Sequence, residues 1–392
     1  MTPTTAPLNT SRPPRQTPPG GSWLPPTAAI LVSAGAIALG VTAGRSPAES
    51  ALTPQDGPIA AALVPPGVLA LVVSLAGIAG VVALVCVLAG RARSARRPRG
   101  VLTAVLAVEV TVLGFGLGSV SSIALAGYLM ALAMPALLTV LLIQAVRRYQ
   151  RVRWLVLAVV AAFGAWALQT SVLRPEVLGR LATDLVTGFA TAGPRLLVAA
   201  LSTAATATFG YLLVNELRGT APWSRAGAYV VRHRTLWTVV AAGCALPYGL
   251  VRMTWFTPWP VLGQSEELTS DIRLWGLLLG GAALLGCVLT VGLVRPWGER
   301  FPRWVPRLAG RPVPVAAAAA PGGVVAAVIC TSALPMLVGL TFSDSGTGLG
   351  VDTMIEKLGM AVVFPFWLWG PMLALAVWGY VGRRQDASLL TG

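Results

Sequence analysis

Ten stretches of about 20 mostly apolar residues follow one another along the chain, and that length is what an α-helix needs to cross a bilayer core of about 30 Å. They are Leu24–Ala43, Pro66–Ala89, Val101–Ser119, Ile123–Val146, Trp154–Leu173, Phe189–Val214, Leu236–Trp255, Leu274–Val294, Val315–Leu340 and Gly359–Val381. The narrowest separation lies between the third and fourth, where Gly118, Ser119, Ser121 and Ser122 predict a tight turn. Hydrophobic residues make up 55% of the chain and charged residues 11%, against about 25% charged in soluble domains. Together with a mean hydropathy of +0.74, this excludes an ordinary soluble enzyme, a disordered chain, a coiled coil and a disulfide scaffold. The expected fold is all-α, a polytopic transmembrane helix bundle over residues 23–382. Residues 1–22 are rich in Pro and Thr and read as a disordered tail, and 383–392 form a short second tail. The first span is long for the apolar core of a signal peptide, so it reads as retained.

A net charge of +15 raises the question of nucleic acid, but the distribution of charge argues against it. The basic residues are Arg except for Lys357, and they sit in short clusters between the apolar runs. Every second loop, with both tails, holds 22 of the 29 basic residues, in the groups Arg12–Arg15, Arg91–Arg99, Arg147–Arg153, Arg218–Arg234, Arg295–Arg311 and Arg383–Arg384. Only Glu216, Glu299 and Asp386 are acidic on that side. The opposite loops hold 5 basic and 10 acidic residues. Because cytoplasmic loops carry the Arg excess, both termini are expected in the cytoplasm. Arg in place of Lys, with abundant Ala, Val, Gly and Pro, points to a bacterial source of high GC content and hence to a bacterial plasma membrane.

Cys86, Cys244, Cys287 and Cys330 fall in four different spans and read as small apolar residues. His233 is the only histidine. No metal site and no cofactor is expected. Gly114, Gly116 and Gly118 lie in an apolar helix with no preceding strand, which excludes a dinucleotide loop.

An ionisable residue at membrane depth costs at least about 2.5 kcal/mol, so it marks a candidate site. Glu109 stands eight residues into the third span, about 12 Å along it. It reads either as a protonatable carboxyl on a coupling or translocation path, or as a structural partner held by an Arg or by hydrogen bonds. Arg195 opens the sixth span and Arg252 lies near the outer end of the seventh. Both can snorkel to the surface, or they can form an anion or lipid-headgroup site. A Glu109–Arg195 pair is compatible with their depths in the sequence. Pro135, Pro194, Pro247, Pro321, Pro335, Pro365 and Pro371 fall inside spans, where each can free a carbonyl one turn earlier.

Two loops stand out. Arg295–Pro314 alternates Trp, Arg and Pro, which suits the headgroup layer. Trp297, Arg300, Arg303 and Trp304 are its candidate docking residues for a cytoplasmic partner or anionic lipid. Trp255–Ile272 combines aromatic and acidic residues and could form a short helix on the outer surface. The motif Tyr248-Gly249-x-x-Arg252-x-x-Trp255, with Trp297-Gly298-Glu299 and Phe301-Pro302-Arg303-Trp304, resembles a group of uncharacterised multi-pass membrane proteins of actinobacteria. The resemblance covers roughly residues 236–315. It implies a fold type and a membrane location and carries no activity, and it gives Arg252 more weight than snorkelling alone.

Three functions compete. A small-molecule carrier or permease component suits ten spans, small loops, Glu109 and kinked helices. A non-catalytic partner, immunity or sensor subunit would bind another protein. A transferase acting on a lipid-linked substrate would use Glu49, Asp56 or Asp184 with Arg252, but no paired-acid motif supports it. The expected partners are therefore the lipid bilayer, a small-molecule or lipid substrate, and a second protein, with no nucleic acid. The carrier is favoured over the enzyme.

Overall fold

A computed structural model describes residues 24–47, 50–53, 58–93, 99–148, 174–218, 220–257, 259–261, 268–302, 308–341 and 354–390, with scattered positions between 153 and 165. The tail 1–22, most of the expected span Trp154–Leu173, and Arg303 and Trp304 lie outside the described residues. The helices are α1 Leu24–Arg45, α2 Pro66–Arg93, α3 Arg99–Glu109, α4 Ser121–Arg148, α5 Pro175–Thr191, α6 Gly193–Leu217, α7 Ala221–Arg232, α8 Arg234–Thr254, α9 Ser270–Gly292, α10 Val315–Thr341, α11 Met354–Val363 and α12 Phe366–Leu390. The fold is an all-α bundle. Seven helices among the described residues are long and apolar enough to cross a membrane, or eight if one bent pair is a single span.

Two apolar cores organise the bundle. The first joins α1, α2, α3 and α6 through residues such as Val32, Val73, Leu106 and Phe209. The second joins α8, α10 and α12 through Ala241, Ile329, Met336, Phe366 and Trp369. Glycine makes the helix seams. A methyl on Gly40 would strike Ser74 and the Ala70 carbonyl, and one on Gly77 would strike the Ser33 carbonyl, so α1 and α2 touch backbone to backbone. On the α8–α9 seam a methyl on Gly280 would lie 2.8 Å from Arg252 Cβ. On the α10–α12 seam one on Gly370 would lie 2.7 Å from Cys330 Sγ. Lipid tails are as apolar as leucine, so close van der Waals contact of this kind is what holds membrane helices together.

Three expectations need correction. The turn expected between the third and fourth spans is a bend of 79° between Gly100–Gly116 and Ser121–Gly127. Here α3 passes into a π-helical stretch, Val110–Gly116, which ends in closely spaced glycines of low helix propensity. The sixth span begins at Gly193, not Phe189: residues 175–191 form the separate amphipathic helix α5, and Ala192 (φ −90°, ψ 3°) breaks the run just before Pro194. Val177 and Leu181 of α5 pack on Leu274 and Leu278 of α9. The tenth span is kept as one candidate span, Lys357–Gln385, with its helix interrupted at Phe364–Pro365 between α11 and α12, because Pro365 has no N–H to continue the helix. The described part of 255–269 is turn and loop, not a surface helix. Arg273 ties it down by donating from Nη1 to the Trp255 carbonyl (3.2 Å) and from Nε to the Leu268 carbonyl (3.1 Å).

The basic-loop side carries a helix that the loop charges concealed. In α7, Trp223, Gly227 and Val230 are spaced to share one face. Trp223 stacks on Trp378 of α12 with ring centroids 4.3 Å apart, and Gly227 lies under the same indole. Arg225, Tyr229 and Arg232 on the opposite face are exposed.

The seams can be tested by thermal unfolding in detergent. Gly280→Ala is expected to destabilise by about 1–3 kcal/mol through overpacking, seen as a lower midpoint. Gly286→Ala faces open space and is expected to leave the midpoint in place.

Candidate functional site

Glu109 is the last residue of α3, where the α-helix becomes the π-helical stretch. Val108, Val110, Thr111 and Val112 are β-branched, and Gly114, Gly116 and Gly118 follow, so regular α-helix is locally disfavoured. π-turns of this kind recur at functional sites. The stretch is pinned to α6 by the Ser202 hydroxyl, which donates to the Gly114 carbonyl (2.6 Å). Gly114 leaves room for this approach, since a methyl there would strike Thr206 Oγ1.

The Glu109 side chain is fully buried (0% exposed). A methyl on Gly80 of α2 would lie 3.5 Å from the Glu109 carboxyl carbon and 3.1 Å from the Phe209 ring of α6, and it would also strike the Ser33 hydroxyl of α1. Four helices thus meet around one carboxyl. Neither carboxyl oxygen has a hydrogen-bond partner among the described residues, and neither has the buried Ser33 hydroxyl. Among the described residues no hydrogen-bond donor compensates a negative charge here. Ser33 stands nine residues after Leu24, Gly80 13 before Arg93, Glu109 ten after Arg99 and Phe209 eight before Leu217. The four residues therefore lie at similar depth from the basic-loop side.

The Glu109–Arg195 pair is not made. Glu109 packs beside Phe209, which is 14 residues beyond Arg195 on α6, about 21 Å along the axis. Arg195 is exposed in the first turn of α6. The depth comparison set Arg195 six residues into a span opening at Phe189; the helix opens at Gly193, so Arg195 lies in its first turn and farther from Glu109.

Arg252 sits in a different place and does different work. Its guanidinium carbon lies 3.9 Å from the Trp255 ring centroid and 5.3 Å from that of Tyr248. Residues four before and three after it share its helix face. Such contacts contribute about 0.5–2 kcal/mol each. Gly249 in the same motif lets α9 approach, since its methyl would lie 2.8 Å from Leu284. Each fixed residue of Tyr-Gly-x-x-Arg-x-x-Trp therefore has a packing role. Tyr248 continues the contact to Phe364 at the α11–α12 break, with centroids 5.0 Å apart.

Of the four docking candidates, Trp297 and Arg300 are described and both are exposed. Trp297 lies in the short helix Pro296–Glu299, and Arg300 follows it. Arg300 and Pro312 form an isolated β-bridge. Tyr380 of α12 donates its hydroxyl to the Gly298 carbonyl (2.8 Å). Arg384 donates to the carbonyls of Glu299 (3.2 Å) and Val313 (2.9 Å). For the transferase reading, Asp184 is exposed on α5 while Arg252 is flanked by two rings, and Glu49 and Asp56 lie outside the described residues. No three His, Cys, Asp or Glu side chains gather into a metal-binding group among the described residues.

Sequence reasoning missed Ser33, Gly80, Phe209 and Ser202, which come from three other helices and carry no motif. No family model, curated protein or solved structure matches the chain.

Dicyclohexylcarbodiimide reacts with carboxylic acids in apolar surroundings, so it is expected to modify Glu109 in preference to Glu216 and Glu299. Peptide mass mapping reads the outcome. Labelling of the exposed Glu299 with Glu109 untouched would show that the pocket is not accessible in the way its geometry indicates.

Proposed function

We propose that the chain is a small-molecule carrier, or the membrane component of a permease, in which Glu109 takes up and releases a proton during the transport cycle. The observation that carries this reading is a fully buried carboxyl with no partner for either oxygen among the described residues, at the head of a π-turn that leads into a 79° bend. A structural carboxyl in hydrocarbon is expected to be held by hydrogen bonds or a cation, because an unsatisfied polar group there is costly. A carboxyl without such ties is free to exchange a proton as its surroundings change. The π-turn supports this, since it places a less regular segment beside the carboxyl. The reading includes a bacterial plasma membrane, ten spans and both termini in the cytoplasm. The alternation of loop charge and the common depth of the four pocket residues support that orientation. The length of α4, 28 residues and ample for a span, supports the count. The likeness over roughly residues 236–315 to actinobacterial multi-pass proteins agrees with the location.

Two experiments test this. Green fluorescent protein fused after Gly392 is expected to fluoresce, and alkaline phosphatase at the same place to be inactive; the reverse pattern would overturn the orientation. In proteoliposomes with an imposed pH gradient, solute-dependent proton flux is expected to fall at least about tenfold in Glu109→Gln, since general acid–base groups contribute about 10²–10⁴. Full flux in that variant would remove Glu109 from the mechanism.

A further inference from the structure

Several helix hydroxyls in this bundle return to their own backbone. Ser74 donates to the Ala70 carbonyl (2.9 Å), Thr111 to Ala107 (2.9 Å), Thr206 to Ser202 (3.0 Å) and Ser332 to Val328 (2.9 Å). Each acceptor stands four residues earlier, the usual refuge of a hydroxyl on a helix. Ser33 of α1 does not take it. The residue is fully buried, and its hydroxyl has no hydrogen-bond partner among the described residues. Two glycines of α2 hold it close: a methyl on Gly77 would lie 2.7 Å from the Ser33 carbonyl, and one on Gly80 would lie 2.5 Å from the Ser33 hydroxyl. The same point on Gly80 is 3.5 Å from the Glu109 carboxyl carbon and 3.1 Å from the Phe209 ring. Hydroxyl and carboxyl carbon stand 2.5 and 3.5 Å from one point, and so no more than about 6 Å from each other. Phe209 has no donor. Of the groups around that point, only the Ser33 hydroxyl can donate to a carboxylate.

We infer that Ser33 is the positioning residue for Glu109: when the carboxyl gives up its proton, the Ser33 hydroxyl donates to the carboxylate and holds it. This rests on the reading that Glu109 exchanges a proton, and it names the group that makes the ionised form tolerable. A carboxylate buried among apolar helices needs a donor. A hydrogen bond to a charged oxygen is shorter and about twice as strong as one between neutral groups. In the arrangement described here the bond is not made. Making it brings Oγ and a carboxyl oxygen to about 2.5–3.0 Å. A glutamate has three side-chain torsions with which to close the gap, and the π-helical stretch that begins at Val110 leaves the backbone beside it less regular. The proton lost in the step is the one on the Glu109 carboxyl. Ser33 keeps its own and turns it toward the charge.

The test is infrared difference spectroscopy of the full chain in lipid vesicles, stepped between acid and alkaline buffer. The carboxylate band of Glu109 is the one that disappears in Glu109→Gln. It is expected to shift in Ser33→Ala, because hydrogen bonding sets the stretching frequency of a carboxylate. Ser33→Cys replaces the hydroxyl by a larger group that is only a weak donor, and it is expected to move the band in the same direction, which a cavity left by alanine would not explain. Ser74→Ala lies on the same α1–α2 seam, but its hydroxyl is already given to Ala70, and the band is expected to stay in place. Thermal unfolding of each variant shows whether it is folded. A serine that serves packing alone predicts a changed midpoint with an unmoved band. An unmoved band in either folded Ser33 variant therefore overturns the inference, while the appearance of the band in the parent leaves proton exchange by Glu109 standing. If the parent shows no band that Glu109→Gln removes, Glu109 does not exchange a proton, and this inference falls together with the function proposed above.

Discussion

A peptide group inside hydrocarbon can bond only to the protein itself, and each interruption of a helix here shows how that demand is met. At the bend after the π-turn, the Gly118 carbonyl accepts from the Ile59 N–H of the preceding loop (2.9 Å), and the Gly118 N–H donates back to Phe115 (3.0 Å). At Pro365, the chain restarts as a helix with the Leu368 and Trp369 N–H groups on the Pro365 carbonyl (3.0 and 2.8 Å). At these two breaks the neighbouring backbone supplies the missing bonds. Side chains are less fully covered: among the described residues the buried oxygens of Ser33, Glu109, Ser119, Ser122 and Thr203 have no hydrogen-bond partner, with Glu109 on one side of the π-turn and Ser119 and Ser122 on the other.

Close approach of helices depends on residues that have no side chain to spare. Gly40, Gly77 and Gly80 on the α1–α2 seam, Gly249 and Gly280 on α8–α9, and Gly370 on α10–α12 all sit where a methyl would collide. The same economy sets the Glu109 pocket, because Gly80 is what lets α2 come up to the carboxyl. It also sets the loop on the basic side: Gly298 lies against the Gly292 carbonyl with no room for a side chain. Packing and the polar site are therefore one arrangement, and a change at a seam glycine alters both.

The two cores divide the work. The first surrounds Glu109 and holds the π-turn through Ser202. The second is tied by aromatic contacts from Trp255 and Arg252 through Tyr248 to Phe364, and at its other end by Tyr380 and Arg384 on the loop 298–313. Residues 117–122 belong to neither alone. A segment placed so can respond to movement of one core against the other, as the proposed carrier function would require.

Apolar length and loop charge are local properties, so the sequence by itself determined that this is an all-α chain of membrane-length helices and that its loops alternate between basic and acidic. It also singled out Glu109, because one acid in an apolar run is conspicuous without any structure, and Pro335, because a proline inside a span must release a carbonyl. It misjudged Phe189–Val214, where an amphipathic helix and a span abut with only Ala192 between them. It missed α7, whose apolar face of Trp223, Gly227 and Val230 was masked by arginines on the other face. What surrounds Glu109 was decided by the tertiary structure alone. Ser33, Gly80 and Phe209 lie on three other helices, and hydropathy does not encode which faces of apolar helices meet. Steric fit of small residues makes that choice, and it kept Arg195 away from the carboxyl and left the buried hydroxyls of Ser119 and Ser122 unmatched among the described residues.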